Sequence, residues 1–215
     1  MIHYRVVNGL AVGGWRLADP PNPADWPAET VSTANRQPPT ANHFFTAAEL
    51  DVATSFKLQK RRDEWLLSRY AAKALALELR IANDPLAIAV ERPVLFVEGQ
   101  PTPWFVSLSH SAPYAAAALS RQPVGIDVQV VREIAEGSSH LFMSDDEADV
   151  MKRCAIAHRA LHFWCAKEAA WKRRSDEFHT MRQLPLRLVE ERAEGLLFDQ
   201  VATRLAGDYI VAITT

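Results

Sequence analysis

A chain of 215 residues, 48% of them hydrophobic, can bury a real core, either as one large domain or as two packed halves. Its formal net charge of -2 excludes a general affinity for nucleic acid or anionic membrane, so any anion site must be a local cluster. Two cysteines, Cys154 and Cys165, exclude a disulfide framework, and nothing near them supplies the other ligands of a zinc site.

From the N-terminus, Met1 to Leu17 alternates like a strand and lacks the apolar core of a signal peptide. No segment approaches a membrane span, and a soluble cytoplasmic protein is expected. Residues 18–43 are rich in Pro, Ala and Asn, including Pro20, Pro21, Pro23, Pro27, Pro38 and Pro39. Repeated loss of backbone donors and a fixed φ predict a surface loop there.

Ordered pattern resumes at Phe44. Thr46 with Glu49 forms a capping-box signature ahead of a helix, and so does Ser144 with Glu147, 98 residues further on. The same shift, without a gap, pairs Phe44 with Phe142, Asp51 with Asp149, Val52 with Val150 and Arg61 with Arg159. It also pairs Ala71 with Ala169 and Ala72 with Ala170, while Arg69 falls on Lys167 and Trp65 on Phe163. A duplicated α+β half accounts for this better than coincidence. The halves are expected at 1–110 and 111–215, each with its helices first and its sheet afterward.

Strand-like runs follow the first helical region at Val94 to Val97, Val106 to Ser109 and Val124 to Val130, with turn chemistry at Gly99-Gln100-Pro101. Tyr114 to Leu119 holds four alanines, which favour helix by propensity, but it is short, follows Pro113 and has strands on both sides. A strand is expected. In the second half, Leu186 to Val189, Leu196 to Val201 and Tyr209 to Thr214 read as strands after a long helix.

Three segments could carry chemistry. On a helix, Trp164, Glu168, Trp171 and Lys172 share one face, while Ala166, Ala169 and Ala170 leave room for close approach elsewhere. Alone, Glu168 and Lys172 read as a solvated ion pair worth about 0.2–0.5 kcal/mol. The two tryptophans beside them suit a site better than a solvated stripe. Asp127 sits in the otherwise apolar run Val124-Gly125-Ile126-Asp127-Val128, where a carboxylate is costly to bury without a cation or hydrogen bonds. Magnesium typically takes one or two carboxylates together with substrate phosphates, and Asp127 with Glu168 would suit it. Ser109-His110-Ser111 closes a strand without the companions of a catalytic triad, so a histidine that hydrogen-bonds an anion or its neighbours fits better. Arg61, Arg62, Arg69 and Lys73 add positive charge to the first helix, either as solvated surface or as a phosphate-holding face.

Gly125-Ile126-Asp127 and Trp164-Cys165-Ala166-Lys167-Glu168-Ala169-Ala170-Trp171-Lys172 resemble the two signature motifs of Sfp-type 4′-phosphopantetheinyl transferases. Gly99-Gln100-Pro101, Ser107 to Ser111 and Ser68 to Lys73 fall in the family's order, and the resemblance spans roughly Phe44 to Arg174. It implies two similar α+β halves related by a pseudo-twofold axis, with coenzyme A bound between them. It also implies transfer of the phosphopantetheine arm to a serine of an apo carrier protein, releasing adenosine 3′,5′-bisphosphate. Asp127 and Glu168 are implied to bind a magnesium ion that bridges the pyrophosphate, and Glu168 to help deprotonate the serine. Lys172 is implied to neutralise charge at the pyrophosphate. Arg69, Lys73, Ser109 and His110 are implied to hold the nucleotide part, with His110 at the 3′-phosphate.

Two positions depart from the family pattern. Gln129 stands where many relatives are acidic, and its amide oxygen or a bound water could still reach the metal. Gln100 replaces a common lysine. A non-catalytic relative that binds coenzyme A or a carrier protein is the alternative these departures motivate. A metal-dependent phosphohydrolase is weaker, for want of further ligands in one motif. Cys165 reads as packing. Two internal halves would permit a monomer.

Overall fold

The structure, a computed structural model, describes residues 2–8, 11–17, 44–91, 93–135, 137–174 and 176–214, the first two stretches by their backbone. The proline-rich stretch 18–43 lies outside the described residues. The chain divides into two units, Met1–Pro123 and Val124–Thr215.

The first unit holds β1 (Ile2–Asn8), β2 (Ala11–Leu17), α1 (Ala47–Ser55), α2 (Gln59–Glu78), β3 (Ile88–Glu91), β4 (Val94–Val97), β5 (Gln100–Ser111) and β6 (Tyr114–Ser120). Its antiparallel sheet has the order β2-β1-β6-β5-β4-β3. The second unit holds β7 (Ile126–Val130), α3 (Asp145–Arg153), α4 (Arg159–Arg174), β8 (Leu188–Arg192), β9 (Gly195–Phe198), β10 (Val201–Ala206) and β11 (Tyr209–Thr214). Its antiparallel sheet runs β7-β11-β10-β9-β8.

Apart from β2, the two units share one topology. A strand leads, two helices follow, then a four-stranded meander whose last strand pairs back with the leading one. The expected order of helices first and sheet afterward is therefore corrected in each unit. The leading strand covers a ladder edge that the meander would otherwise leave open. The division at Pro123 lies beyond the 110/111 boundary read from sequence. The reason is β6, which pairs with β5 from Phe105↔Ser120 to Ser111↔Tyr114 and with β1 on its other edge.

Tyr114–Ser120 is a strand despite its alanines. Ala115, Ala117 and Leu119 join Ala71, Ala72, Leu75 and Ala76 of α2 in one buried cluster, where small side chains let the helix lie close to the sheet. In the second unit, Leu161, Phe163, Cys165, Ala166, Ala169 and Ala170 of α4 pack on Leu196, Phe198, Val201, Ile210 and Ala212. The run Leu196 to Val201 is not one strand. The chain bends at Asp199-Gln200, where Asp199 hydrogen-bonds Arg187 through both its backbone N–H and its carboxylate, so β9 and β10 are separate. Turn chemistry before β5 lies at Glu98 and Gly99, both at positive φ, and Gln100 opens the strand. Among the described residues no helix is long and apolar enough to cross a membrane.

Both capping boxes form. Glu49 accepts from Thr46 N–H at 2.9 Å and Glu147 from Ser144 N–H at 2.8 Å, and each glutamate's own backbone N–H donates to its partner's hydroxyl oxygen in return. Each glutamate also meets a fully buried lysine of the next helix: Glu49–Lys73 and Glu147–Lys167, both 2.6 Å. Lys73 further donates to Phe44 O, and Lys167 to Leu184 O and Met181 O. Burial lowers both ammonium groups' pKa, and the paired glutamate opposes it. Losing one partner of such a pair leaves the other charge stranded, at a cost of about 3–5 kcal/mol. Lys167→Met should lose about that much stability in urea unfolding, and Lys167→Met/Glu147→Gln less than the two single losses added. A loss of about 0–1 kcal/mol, as for a surface pair, would contradict this account.

His162 is a second buried polar group. Thr203 Oγ1 accepts from Leu196 N–H and donates to Leu196 O, so His162 Nδ1 donates to it at 2.8 Å. Nε2 is buried and has no hydrogen-bond partner among the described residues. Burial pushes the imidazole down to about 4, helped by His158. A folded value below the unfolded 6.5 means that folding disfavours the protonated ring. Nothing is lost above pH 6.5, and stability falls as pH drops from there toward 4. At pH 5 the cost is about 2 kcal/mol relative to pH 7. Wild type should therefore lose about that much more than His162→Gln between those pH values in urea titrations; equal losses would assign the pH dependence elsewhere.

Candidate functional site

Strand β7 and helix α4 lie against each other in the second unit, and the reason is Gly125. A Cβ built on it would fall 1.8 Å from Ala169 O and 3.2 Å from Arg173 N, both backbone atoms of α4. Only glycine lets the chain enter β7 at that distance. Gly125 is fixed on its other side by Thr214, whose Oγ1 accepts from Gly125 N–H and whose N–H donates to Gly125 O, each at 3.0 Å. Two residues on, Asp127 is brought under the C-terminal half of α4.

Asp127 is 2% exposed and its carboxylate is fully engaged. Oδ1 accepts from Lys172 Nζ at 2.8 Å, and Lys172 also donates to Ile126 O at 3.0 Å. Oδ2 accepts from Gln129 Nε2 at 3.1 Å. The Cys165 thiol also hydrogen-bonds Asp127. Burial and that carboxylate hold the thiol well above the usual range, so Cys165 is an inert packing residue, as expected.

Along α4, Trp164, Glu168, Trp171 and Lys172 are partly exposed, while Cys165, Ala166, Lys167, Ala169 and Ala170 between them are buried. The face read from sequence is the face that forms. Trp164 meets Phe142 edge-on at 5.0 Å, and both tryptophans pack on the core with their indole Nε1 atoms buried and unbonded among the described residues. Glu168 has neither ion pair nor hydrogen bond there. Burial raises its carboxyl pKa, the Asp127 charge raises it further, and Lys172 opposes both. Among the described residues, the carboxylates of Asp127 and Glu168 face the ammonium of Lys172, an excess of negative charge that suits a cation.

The donors are oxygens, as a hard divalent ion requires, and a magnesium site is normally completed by water and substrate phosphate. Asp127 and Glu168 fit that role. Gln129 turns its amide nitrogen to Asp127, which leaves Oε1 as the atom available to a metal or a water. No cluster of three or more His, Cys, Asp or Glu side chains suited to a metal occurs among the described residues.

The other expected ligands lie in the first unit. Arg69 stacks on Trp65, with Cζ 3.5 Å from the ring centroid, and donates to Trp65 O. His110 is exposed near the end of β5, its Nδ1 3.6 Å from Glu64. Glu64 is buried beneath Lys60, Arg61 and His110, and was not singled out in the sequence. Ser109 is buried in β5. Lys73 is 0% exposed and bound to Glu49, which makes it a structural counterpart of Lys167 and removes it from phosphate binding. No local signal marks it: α2 also carries Lys60, and only the pairing with Glu49 shows which lysine is buried.

The sequence model of the 4′-phosphopantetheinyl transferase superfamily matches residues 123–213. That segment forms the second unit and carries Asp127, Gln129, Glu168 and Lys172. No protein of curated function matches the chain.

Gly125→Ala tests the close approach on which this geometry rests. Backbone atoms at 1.8 Å cannot rotate away, so the variant should lose about 3 kcal/mol or more in urea unfolding, at the upper end for overpacked sites. An alanine variant with wild-type stability would show that β7 and α4 are further apart.

Proposed function

We propose that the chain is an Sfp-type enzyme that transfers the 4′-phosphopantetheine arm of coenzyme A to a serine of an apo carrier protein. The superfamily match supports phosphopantetheinyl transfer in general. The observation that carries the finer reading is the buried Asp127 beside Glu168 and Lys172, two carboxylates and one ammonium brought together among the described residues.

Asp127 and Glu168 would hold magnesium; when bound, the ion supplies Lewis-acid stabilisation and a template for the pyrophosphate. The serine hydroxyl oxygen bonds to the phosphorus that carries pantetheine, and the bond from that phosphorus to the bridging oxygen breaks. Adenosine 3′,5′-bisphosphate leaves with the electron pair, and the serine proton passes to Glu168 or to a water. Lys172, partly exposed beside Asp127, neutralises charge that builds on the pyrophosphate. Little covalent help is needed, because phosphoryl-type transfer depends chiefly on positioning and charge. Arg69 and His110 keep the nucleotide roles that the family resemblance implies, with His110 at the 3′-phosphate.

The test is mass spectrometry of a panel of apo carrier proteins incubated with the protein, coenzyme A and magnesium. At least one carrier should gain a phosphopantetheinyl group. Glu168→Gln and Asp127→Asn should each lower turnover on the order of a hundredfold or more. If coenzyme A binds and every carrier stays unmodified, the chain is a binding relative; near-normal turnover in Glu168→Gln would return that residue to the solvated surface.

A further inference from the structure

Lys172 holds the oxygen that a metal ligand at Asp127 would have to offer. Its ammonium is 2.8 Å from Asp127 Oδ1 and is tied to Ile126 O as well, while Oδ2 is occupied by Gln129 Nε2. A carboxylate 2% exposed could not keep its charge without such a partner. Lys172 itself is partly exposed and sits on the last turns of α4, where a long flexible stem can swing while its Cα stays fixed. Lys172 and the divalent ion thus need the same atom.

We propose that Lys172 is the resident counterion of Asp127 and is exchanged for the divalent cation when coenzyme A arrives. The pyrophosphate offers Lys172 a new anionic partner, which frees Oδ1. Metal and coenzyme A therefore bind as one coupled event, and metal alone binds weakly because it must first break an ion pair. This rests on Asp127 and Glu168 being the cation ligands. It adds that the enzyme stays folded and charge-balanced at Asp127 without metal, and that the same lysine later meets the phosphates. The coupling is reciprocal, so magnesium must tighten coenzyme A by the factor that coenzyme A tightens magnesium.

The experiment is Mn2+ binding, read from the electron paramagnetic resonance signal of the free ion, with and without coenzyme A and corrected for Mn2+ held by free coenzyme A. Wild type, Lys172→Met, Lys172→Arg and Asp127→Asn are compared. Without coenzyme A, Lys172→Met should bind Mn2+ about tenfold tighter than wild type, the order expected when one charge-assisted hydrogen bond need not be broken. Lys172→Arg, which keeps the counterion, should stay weak. Coenzyme A should tighten Mn2+ binding to wild type clearly more than to Lys172→Met. Because Lys172→Met strands Asp127, its thermal midpoint should fall without metal, and Mn2+ should raise it more than it raises that of wild type. Equal or weaker Mn2+ binding by Lys172→Met, with Asp127→Asn impaired, would overturn the exchange and leave the metal site standing. Mn2+ binding to Asp127→Asn at wild-type strength would overturn the metal site, and the exchange with it.

Discussion

A carboxylate buried to 2% exposure cannot remain charged unless the surrounding chain answers it, and Asp127 is that carboxylate. The answer comes from three directions: Lys172 on one oxygen, Gln129 on the other, and the Cys165 thiol from the same helix as Lys172. Gln129 answers from β7 itself, but Lys172 and Cys165 need α4 to lie on the backbone of β7, and that contact exists because position 125 has no side chain. Gly125 and Asp127 are thus one device. The glycine sets the distance, the aspartate uses it, and Glu168 shares the resulting pocket of negative charge.

The two units solve a common problem in a common way. A short capped helix in each must be fastened to the longer helix after it, and the capping-box glutamate does both tasks with one carboxylate. One oxygen of Glu147 accepts from Ser144 N–H, and the other accepts from Lys167 and from Leu186 N–H. Glu49 concentrates its bonds on Oε2 and leaves Oε1 buried without a partner among the described residues. The second unit therefore uses its carboxylate more completely. Lys167 and Glu168, adjacent in sequence, point to opposite fates: the lysine anchors α4, and the glutamate keeps a raised pKa at its open face.

Much of this was legible in the sequence because the signals were local. Capping boxes, the Gly-Ile-Asp run and the spacing of Trp164, Glu168, Trp171 and Lys172 depend on neighbours within two helical turns. Tyr114–Ser120 could be read as a strand against its alanine content because its length and flanks outweighed propensity. What failed was non-local. Lys73 looks like Arg69, a basic residue one turn away, and only the partner 24 residues upstream shows which of the two is buried. The bend at Asp199-Gln200 lies inside a run whose apolar ends suggested continuity. The leading strand of each unit pairs with the last, a relation that no window of sequence contains.

Gln129 shows how a departure from the family pattern can be consistent with the rest of the site. Its amide donates to Asp127, which an acidic side chain at the same place could not do while charged. A third carboxylate there would leave two negative charges unmatched by Lys172 instead of one. With the amide, Asp127 gains a second hydrogen-bond donor beside Lys172, and no further charge is added to the site. The superfamily match covers residues 123–213, and the carboxylates, the lysine and the contact that joins them all belong to that one unit. In the first unit the buried Glu49–Lys73 pair is committed to holding two helices together, while Arg69 stacks on Trp65 and His110 lies beside Glu64.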